Sequence, residues 1–456
     1  MEIYSKKQPF LKISLKKDFF KNKKFLSVAS FAIAFSSIFL LLTITPKTQS
    51  ISWRIFRVLG NSIGGRPGEF LLGSAEFNSS LLTSFLNWSG SLRFKNPKII
   101  LDIPLENFLQ LQNLKQKALA QGVNLDKDDW FKSSLRTSYS SNQLPIKLRL
   151  KGDWTDHLKD GKWSFRVKTR KGNYFKGMRS FSIQPAATRS YIYESMFQSF
   201  LGYEKLPYLR YTFANLIING VDKGVYAIEE SFGKELIENS GYRESIILRF
   251  SENNFFTAAL RDIQLLKLEG KYNSINLFNK RNLSTLKSFN HKKISENETL
   301  SHLYSKAVNN YELFASGEKK AKEVFDYRSF AKFYAVADLF QTWHPRTWHN
   351  LRYYFNPITG KFMPVGFDAS KSYLNSNLLP SFANDNSENR VNNLYLFNDP
   401  LFAKEYVQAV NMLSSEKYLN KFFSFYEKKF ERQLQTLHSS FPFVKSIEGR
   451  IRLAAN

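Results

Sequence analysis

Two stretches of the chain alternate apolar and polar residues with the period of two that is typical of a strand burying one face. The first is "LPIKLRLKG" at 144–152, in which three basic residues lie between the apolar positions. The second is "KWSFRVKTR" at 162–170, in which Arg166 and Lys168 occupy the polar positions. We therefore predict two half-buried strands that share a basic face and are joined by the loop "GDWTDHLKDG".

The regions next to this strand pair also show recognisable patterns. Residues 98–103 predict a strand, and the helical spacing after it ends at Gly122, a residue type that commonly follows a helix. A helix is predicted at 189–201, and Asn219-Gly220 between two apolar runs indicates a β-hairpin. Residues 144–230 are therefore expected to form an antiparallel sheet with one inserted helix.

The second half of the chain is predicted to be mainly helical, with one hairpin. Residues 251–325 are polar and are expected to form helical insertions. Residues 326–343 have strong amphipathic helical spacing, with Asp326 as the N-cap. The stretch "WHNLRYYFNPITGKFMPVGFD" predicts two strands joined at "NPITG" and ending at Asp368, and residues 398–456 again have helical spacing.

The N-terminal segment has the pattern of a membrane anchor. Residues 1–24 hold eight lysines and two acids, and residues 25–44 are uncharged and long enough to span the hydrocarbon core. A basic flank before the span orients the N-terminus to the cytoplasm. We therefore expect a single-pass protein of the inner cell membrane. A stalk or entry segment at 45–97 would be followed by an extracytoplasmic domain at 98–456. A cleavable signal peptide is the alternative, but no A-x-A cleavage pattern follows the apolar run.

Charge and composition narrow the partners and the chemistry. The chain has 66 Lys and Arg against 39 acids, a net charge of +27, which favours anionic partners. Such partners include phosphates, anionic lipids and acidic envelope polymers, whereas no nucleic-acid motif is present and no nucleic acid is expected. The chain has no cysteine, which excludes disulfides, thiolate metal sites and a cysteine nucleophile.

Individual polar residues leave two interpretations open. Asp368 ends a predicted strand, where an aspartate either caps a turn or presents a carboxylate to a cation in a cleft. His344 and His349 are five residues apart, a spacing that fits no common zinc pattern, so structural roles are favoured for both. Asn350 either satisfies backbone groups in a turn or contributes to a ligand site.

The order of these features matches the parts of a protein-kinase active site. Phosphoryl transfer there uses a loop between two strands, a cation with a partner acid, and an Asn and an Asp that hold metal ions. The stretches "IKLRLKGDW", "LIINGVDKGVYAIEE" and "WHNLRYYFNPITGKFMPVGFDAS" resemble the CotH family of kinase-like proteins, over roughly residues 144–375. The resemblance implies an α+β, protein-kinase-like fold of the CotH type, with an antiparallel sheet and helical insertions, preceded here by one transmembrane helix.

The resemblance also implies roles for particular residues. Arg166 or Lys168 would be the phosphate-binding cation, and Glu230 its partner acid. Asp368 would be the metal-binding acid, and Asn350 a metal or phosphate ligand. The implied cofactors are ATP and Mg²⁺ or Mn²⁺. The implied function is phosphoryl transfer to a protein or another envelope component by a membrane-anchored, exported enzyme.

Two departures from the family pattern bear on catalysis. The family usually carries an acid in the turn before the Asn, and the corresponding turn here, "QTWHPRTWHN", has none. Asp338 in the preceding helix, or His344, would then have to act as the catalytic base. The family also tends to place a second acid two residues after the metal-binding Asp, where this chain has Ser370. The alternative function is therefore a catalytically inactive structural or binding module in envelope assembly.

Overall fold

The computed structural model describes a large part of the chain from residue 81 onwards. Its described residues are 70, 81–124, 129–138, 140–158, 161–170, 172–252, 285–370 and 396–455. The predicted basic tail at 1–24 and the predicted anchor at 25–44 lie outside these ranges. None of the helices within them combines the length and hydropathy that a bilayer-spanning segment needs.

The described residues form a mixed α+β structure with eleven strands. The strands are β1 (Lys98–Asp102), β2 (Phe131–Thr137), β3 (Ser140–Leu150), β4 (Phe165–Thr169), β5 (Ser180–Pro185), β6 (Tyr211–Ile218), β7 (Val221–Glu230), β8 (Ile247–Ser251), β9 (Thr285–Ser288), β10 (Arg352–Asn356) and β11 (Lys361–Val365).

Eleven α-helices are described besides these strands. They are α1 (Leu81–Ser91), α2 (Leu105–Gln121), α3 (Ile192–Tyr203), α4 (Lys234–Asn239), α5 (His291–Ser295), α6 (Glu298–Ala315), α7 (Ala321–Val324), α8 (Tyr327–Leu339), α9 (Pro400–Ser414), α10 (Glu416–His438) and α11 (Glu448–Ala455). The described residues also form short 3₁₀ turns at Thr155–His157, Ala186–Arg189 and His344–Arg346.

The first seven strands form a closed barrel in the order β1-β2-β3-β4-β5-β7-β6. All neighbours are antiparallel except β1 and β6, whose parallel pairing closes the barrel. The apolar positions of β3 and β4 point into its core, which is filled by residues such as Leu148, Phe165 and Val167. The predicted antiparallel sheet is therefore confirmed. Its closure by β1 depends on a pairing of distant segments that alternation along one strand does not encode.

A second sheet of four strands has the order β11-β10-β8-β9. The predicted hairpin joined at "NPITG" is its β10–β11 pair, in which Arg352 lies opposite Val365 and Asn356 lies opposite Lys361. Tyr353, Tyr354 and Phe355 are fully buried in this sheet, as expected for core residues. Within the predicted helical insertion, residues 253–284 lie outside the described residues, and the rest contains β9 as well as three helices.

Several predicted helix ends are confirmed by their capping groups. The side chain of Asp326 accepts a hydrogen bond from the Ser329 amide at the start of α8, and α2 ends at Gly122 in the left-handed conformation. The C-terminal residues from 400 onwards are mainly helical, as predicted. By contrast, α1 lies inside the segment that we predicted to be a stalk or irregular entry.

The helix predicted at 189–201 begins only at Ile192. Before it, Ala186–Arg189 form a 3₁₀ turn, and Ser190 and Tyr191 adopt positive φ angles of 48° and 59°. Hydrophobic spacing carries no signal for such a backbone reversal, because the side chains keep their helical periodicity on either side of it. Residues other than glycine pay a conformational cost here, and such strain is common beside functional sites.

The loop after β3 contains a glycine whose replacement is expected to destabilise the protein. Gly152 has a φ of 105°, and a Cβ atom there would lie 2.7–2.8 Å from the ring and Cβ of His157. We expect Gly152→Ala to lower the free energy of unfolding by about 1–3 kcal/mol more than Gly220→Ala. Gly220 is the matched control, because it also has a positive φ but no atom within 4 Å of the added Cβ. Equal losses in chemical denaturation would show that the His157 contact relaxes without cost.

Candidate functional site

One cavity brings together several of the polar and charged side chains that were predicted for the site. Its volume is about 360 Å³. It is lined from the barrel side by Arg149, Lys151, Gly152, Asp153, Trp154, His157, Arg166 and Arg189, and from the second sheet and nearby turns by Phe232, Arg249, Glu252, Phe289, His344, Trp348, His349, Asn350, Arg352, Phe367 and Asp368. Six Lys or Arg side chains therefore face three carboxylates.

A buried ion pair lies at the barrel wall of this cavity. Lys151, at the end of β3, contacts Glu229 on β7 with an Nζ–Oε1 distance of 2.7 Å. Gln184 on β5 completes the group, because its amide donates to Glu229 at 3.1 Å and its carbonyl oxygen accepts from Lys151. All three side chains are buried, so the lysine is held in one position against the barrel.

Arg189 connects this pair to the turn that follows β11. Its Nε lies 3.8 Å from Oε2 of Glu229 and 2.9 Å from Oδ1 of Asp368. The reversed backbone at Ser190 and Tyr191 directly follows Arg189 and directs the chain into helix α3. The strained segment thus places one guanidinium between two carboxylates that are 139 residues apart in the sequence.

The electrostatic field of this network alters several pKa values. Burial lowers the pKa of Lys151 to about 8, although Glu229 opposes this change. Burial raises the pKa of Glu229, but the attraction of Lys151 and Arg189 is stronger and leaves it below its ordinary value. For Asp368, burial is likewise outweighed by Arg189 and His344, which hold its pKa well below the usual range.

Asp368, in the turn that follows β11, is held by contacts of two further residues with this turn. Its backbone has a positive φ of 68°, and Glu194 of helix α3 accepts a hydrogen bond from the next amide, that of Ala369. His344 Nδ1 lies 3.3 Å from Oδ2 of Asp368. Burial lowers the pKa of His344, but Asp368 outweighs this and raises it above 6.5. Asp368 is therefore a fixed, ionised group with Arg189 at one carboxylate oxygen and His344 at the other.

A family model described as CotH kinase protein matches residues 148–452. The match covers well over half of the sequence and includes every residue of the ion network. The chain belongs to the CotH kinase family. A search of curated proteins found no match. The resemblance inferred from the sequence motifs is therefore confirmed at the level of the family.

In this CotH family chain, four of the seven residues that we predicted for the site line the cavity. These four are Arg166, His344, Asn350 and Asp368. The other three, Lys168, Glu230 and Asp338, are not among its lining residues. No finding tests the functional roles of the seven residues, which remain predictions.

Glu230 is bound to Arg210 rather than to either predicted cation. The Arg210 guanidinium donates to both carboxylate oxygens of Glu230. Glu229 and Glu230 are adjacent on a strand, so they point to opposite sides of the sheet, and Glu229 is the one beside the cavity. Both faces of β7 are buried at this end, so the alternation of apolar residues could not distinguish the two acids.

Lys168 lies on the outer face of the barrel, next to a neighbouring cavity of about 600 Å³. Its Nζ is 4.7 Å from the ring centre of Trp130. On the neighbouring strand β3, Lys147 lies opposite Lys168 and Arg149 lies opposite Arg166. The basic face predicted from the sequence is therefore present. Of the two predicted phosphate-binding cations, only Arg166 reaches the cavity described above.

Asp338 is held away from the cavity by two partners. Arg346 donates to its Oδ1 at 2.7 Å, and the hydroxyl of Tyr406 donates to its Oδ2. A carboxylate engaged in this way has no free oxygen directed at a substrate hydroxyl. Between the two candidate bases, the geometry therefore favours His344, which lines the cavity.

Four other residues of the site were not predicted from the sequence, namely Lys151, Arg189, Arg249 and Arg352. Lys151 continues the alternation of β3 by one step, so its basic face was visible in the sequence. Arg189 falls inside a predicted helix, and Arg249 and Arg352 lie on strands of the second sheet. Only the packing of that sheet against the cavity identifies them.

The donor set fits a divalent cation poorly. Among the described residues, no group of three or more His, Asp or Glu side chains is placed to hold a metal ion. The oxygens of Asp368 already face Arg189 at 2.9 Å and His344 at 3.3 Å. The amide nitrogen of Asn350 donates to the carbonyl of His344, which leaves one side-chain oxygen. Mg²⁺ is usually held by one or two carboxylates together with waters and substrate phosphates. Asp368 and Asn350 have the right atoms for such a set, but the Arg189 guanidinium occupies the position beside Oδ1 where a cation would lie.

Proposed function

We propose that this CotH family protein binds the polyphosphate of a nucleotide such as ATP in the cavity between the barrel and the second sheet. The observation that carries the proposal is the buried Lys151–Glu229 pair, joined through Arg189 to Asp368. Protein kinases hold ATP phosphates with a strand lysine paired to a glutamate and with Mg²⁺ ions bound by an aspartate across the cleft. Family membership supports the same assignment.

The proposal also extends to a kinase-like arrangement of the fold. Lys151 and Glu229 would take the roles that we predicted for Arg166 or Lys168 and for Glu230. The Gly152–His157 loop follows Lys151 and lines the cavity, as a phosphate-covering loop would. Trp154 also lines it, and an indole ring is a surface on which a base can stack.

Phosphoryl transfer to a protein or another envelope component is the second candidate function. The observation that favours it is the Asp368–His344 contact in the cavity, because a carboxylate that holds Nδ1 leaves Nε2 as the nitrogen available for proton transfer. In this proposal the domain is anchored by residues 25–44 to the inner membrane and acts outside the cytoplasm. Transfer is tested by incubation with ATP labelled at the terminal phosphate, comparing the parent protein with His344→Ala.

Binding is tested by thermal unfolding with and without millimolar ATP. We expect ATP to raise the melting temperature, because a ligand that binds only the folded state stabilises it. We expect Lys151→Met to abolish most of the shift, because the variant removes the buried phosphate-facing charge.

Lys115→Met is the matched control for this test. Lys115 is also a buried lysine whose pKa burial lowers to about 8, but it lies on helix α2 and is not among the residues that line the cavity. It should keep the full shift. The absence of any shift in the parent protein, or an equal loss in both variants, would contradict the proposed function.

A further inference from the structure

The second sheet contributes a buried arginine to the cavity without an ion-pair partner. Arg352 is 4% exposed, and within the described ranges no carboxylate forms an ion pair with it. Its Nε has no hydrogen-bond partner, while one Nη donates to the carbonyl of His349. Burial and nearby Arg249 disfavour its charged form, whereas Glu252 and Asp368 favour it without forming an ion pair. A buried cation in this state is costly unless an anion completes its surroundings.

The sheet register places a second arginine beside the first. Tyr353 pairs with Leu248, so the next position along the antiparallel ladder sets Arg352 opposite Arg249. On its other side Arg249 pairs with Lys287 of β9. Like charges directly opposite each other weaken a sheet. The buried Nε of Arg249 also lacks a hydrogen-bond partner. This cost is offset if the two guanidinium groups bind a shared anion.

Aromatic rings hold the two guanidinium groups in place. The guanidinium of Arg352 lies 4.9 Å from the ring centre of Phe367 and 5.7 Å from that of Phe289, and the guanidinium of Arg249 lies 4.8 Å from Phe289. Cation–π contacts of this kind orient a guanidinium without neutralising it. The pair is therefore preorganised at the cavity wall contributed by the second sheet, while the carboxylate-paired Lys151 and Arg189 occupy the barrel wall.

We propose that the cavity binds nucleotide polyphosphate without a divalent cation, because Arg249 and Arg352 supply the positive charge that metal ions would otherwise provide. The inference rests on the proposed function and deepens it by naming the free polyphosphate, rather than its metal complex, as the ligand. The position of Arg189 supports it, since its guanidinium lies 2.9 Å from Oδ1 of Asp368 and would repel a metal ion there.

Calorimetric titration with ATP and with pyrophosphate, each in excess EDTA and in excess Mg²⁺, tests the inference. Binding in EDTA should be at least as tight as binding in Mg²⁺, because the metal neutralises the charge that the arginines recognise. Binding that is tenfold or more tighter in Mg²⁺ would overturn the inference and leave the proposed function standing. Absence of binding in both conditions would overturn both.

Arg352→Met provides a second, independent readout. Methionine keeps an unbranched apolar chain against Phe367 but removes the charge, so binding in EDTA should weaken at least about tenfold. The unliganded variant should melt at a higher temperature than the parent, because a buried uncompensated cation has been removed. Arg249→Met should also weaken binding in EDTA. It provides the same test if Arg352→Met does not fold.

The charge control is Arg136→Met. Arg136 pairs with Asp102 at 3.0 Å on the barrel, and it is not among the residues that line the cavity. The Arg136→Met variant removes one positive charge away from the cavity. Its affinity should stay within about twofold of that of the parent protein, because distant surface charges are screened by salt. If Arg352→Met and Arg249→Met both bind as tightly as Arg136→Met in EDTA, the two arginines do not recognise the ligand and the inference fails.

Discussion

Glu229→Leu is expected to destabilise the protein by about 3–5 kcal/mol, the range measured when one partner of a buried ion pair is removed. Glu229 is 2% exposed and faces both Lys151 and Arg189. Without it, Lys151 loses the carboxylate that it contacts, and Arg189 keeps its contact with Asp368. Two cations would then remain buried with one acid between them.

The measurement is chemical denaturation at pH 7, with Glu238→Leu as the control. Glu238 is half exposed and pairs with Lys234 across one helical turn, so its loss should cost less than about 1 kcal/mol. A loss below about 1 kcal/mol for Glu229→Leu as well would show that water reaches the network and screens it.

The pH dependence of the same experiment has a defined sign. The pKa of Glu229 in the folded protein lies below its ordinary value of 4.5, because Lys151 and Arg189 outweigh the effect of burial. Its contribution to stability is therefore complete above about pH 5 and decreases as the pH falls below 4.5 toward the folded-state pKa. The difference in stability between the parent and Glu229→Leu should shrink in that acidic range.

Asp368→Asn is expected to tighten the binding of pyrophosphate in EDTA by about tenfold. The change removes a negative charge from the cavity and releases Arg189 from one of its two carboxylates, although Glu229 still holds it. Charges several ångströms apart at an effective dielectric constant of ~20 interact by roughly 2–4 kcal/mol, so even a screened repulsion gives this effect. The folded protein should lose about 1–3 kcal/mol of stability, because Arg189 is buried.

Calorimetry on Asp368→Asn separates two roles of this carboxylate. If it holds a metal ion that bridges the phosphates, the substitution abolishes binding in Mg²⁺ and gives no gain in EDTA. If it serves to hold Arg189 and His344 in place, binding in EDTA increases. Glu194→Gln is a useful comparison, because it lies behind the same turn and keeps an acceptor for the Ala369 amide without changing the charge at Asp368.

The local elements were predictable because their signals are local. Alternation in 144–152 and 162–170 predicted β3 and β4, the Asn219-Gly220 dipeptide predicted the β6–β7 hairpin, and Asp326 predicted the start of α8. The motifs spread over 144–375 were also sufficient to identify the family. Each of these depends on residues that are neighbours along the chain or on a fixed order of short stretches.

The members of the site were predictable only in part, because only local signals can be read from the sequence. Asp368, Asn350, His344 and Arg166 stood out as polar residues at a strand end, in a turn or on a basic strand face, and all four line the cavity. The sequence could not decide between Glu229 and Glu230. Because β7 is buried on both faces, its apolar pattern does not show which of the two acids points toward the cavity.

The sequence by itself determined several strands, the two hairpins, some helix ends and the family, since these depend on hydrophobic period, turn and capping residues and motif order. Only the tertiary structure decided which charges meet. The pairing of β1 with β6 closes the barrel, the reversed backbone at Tyr191 places Arg189 between Glu229 and Asp368, and the β8–β10 register sets Arg249 opposite Arg352. These contacts join residues far apart in the chain, and their free energy depends on burial that no single segment possesses.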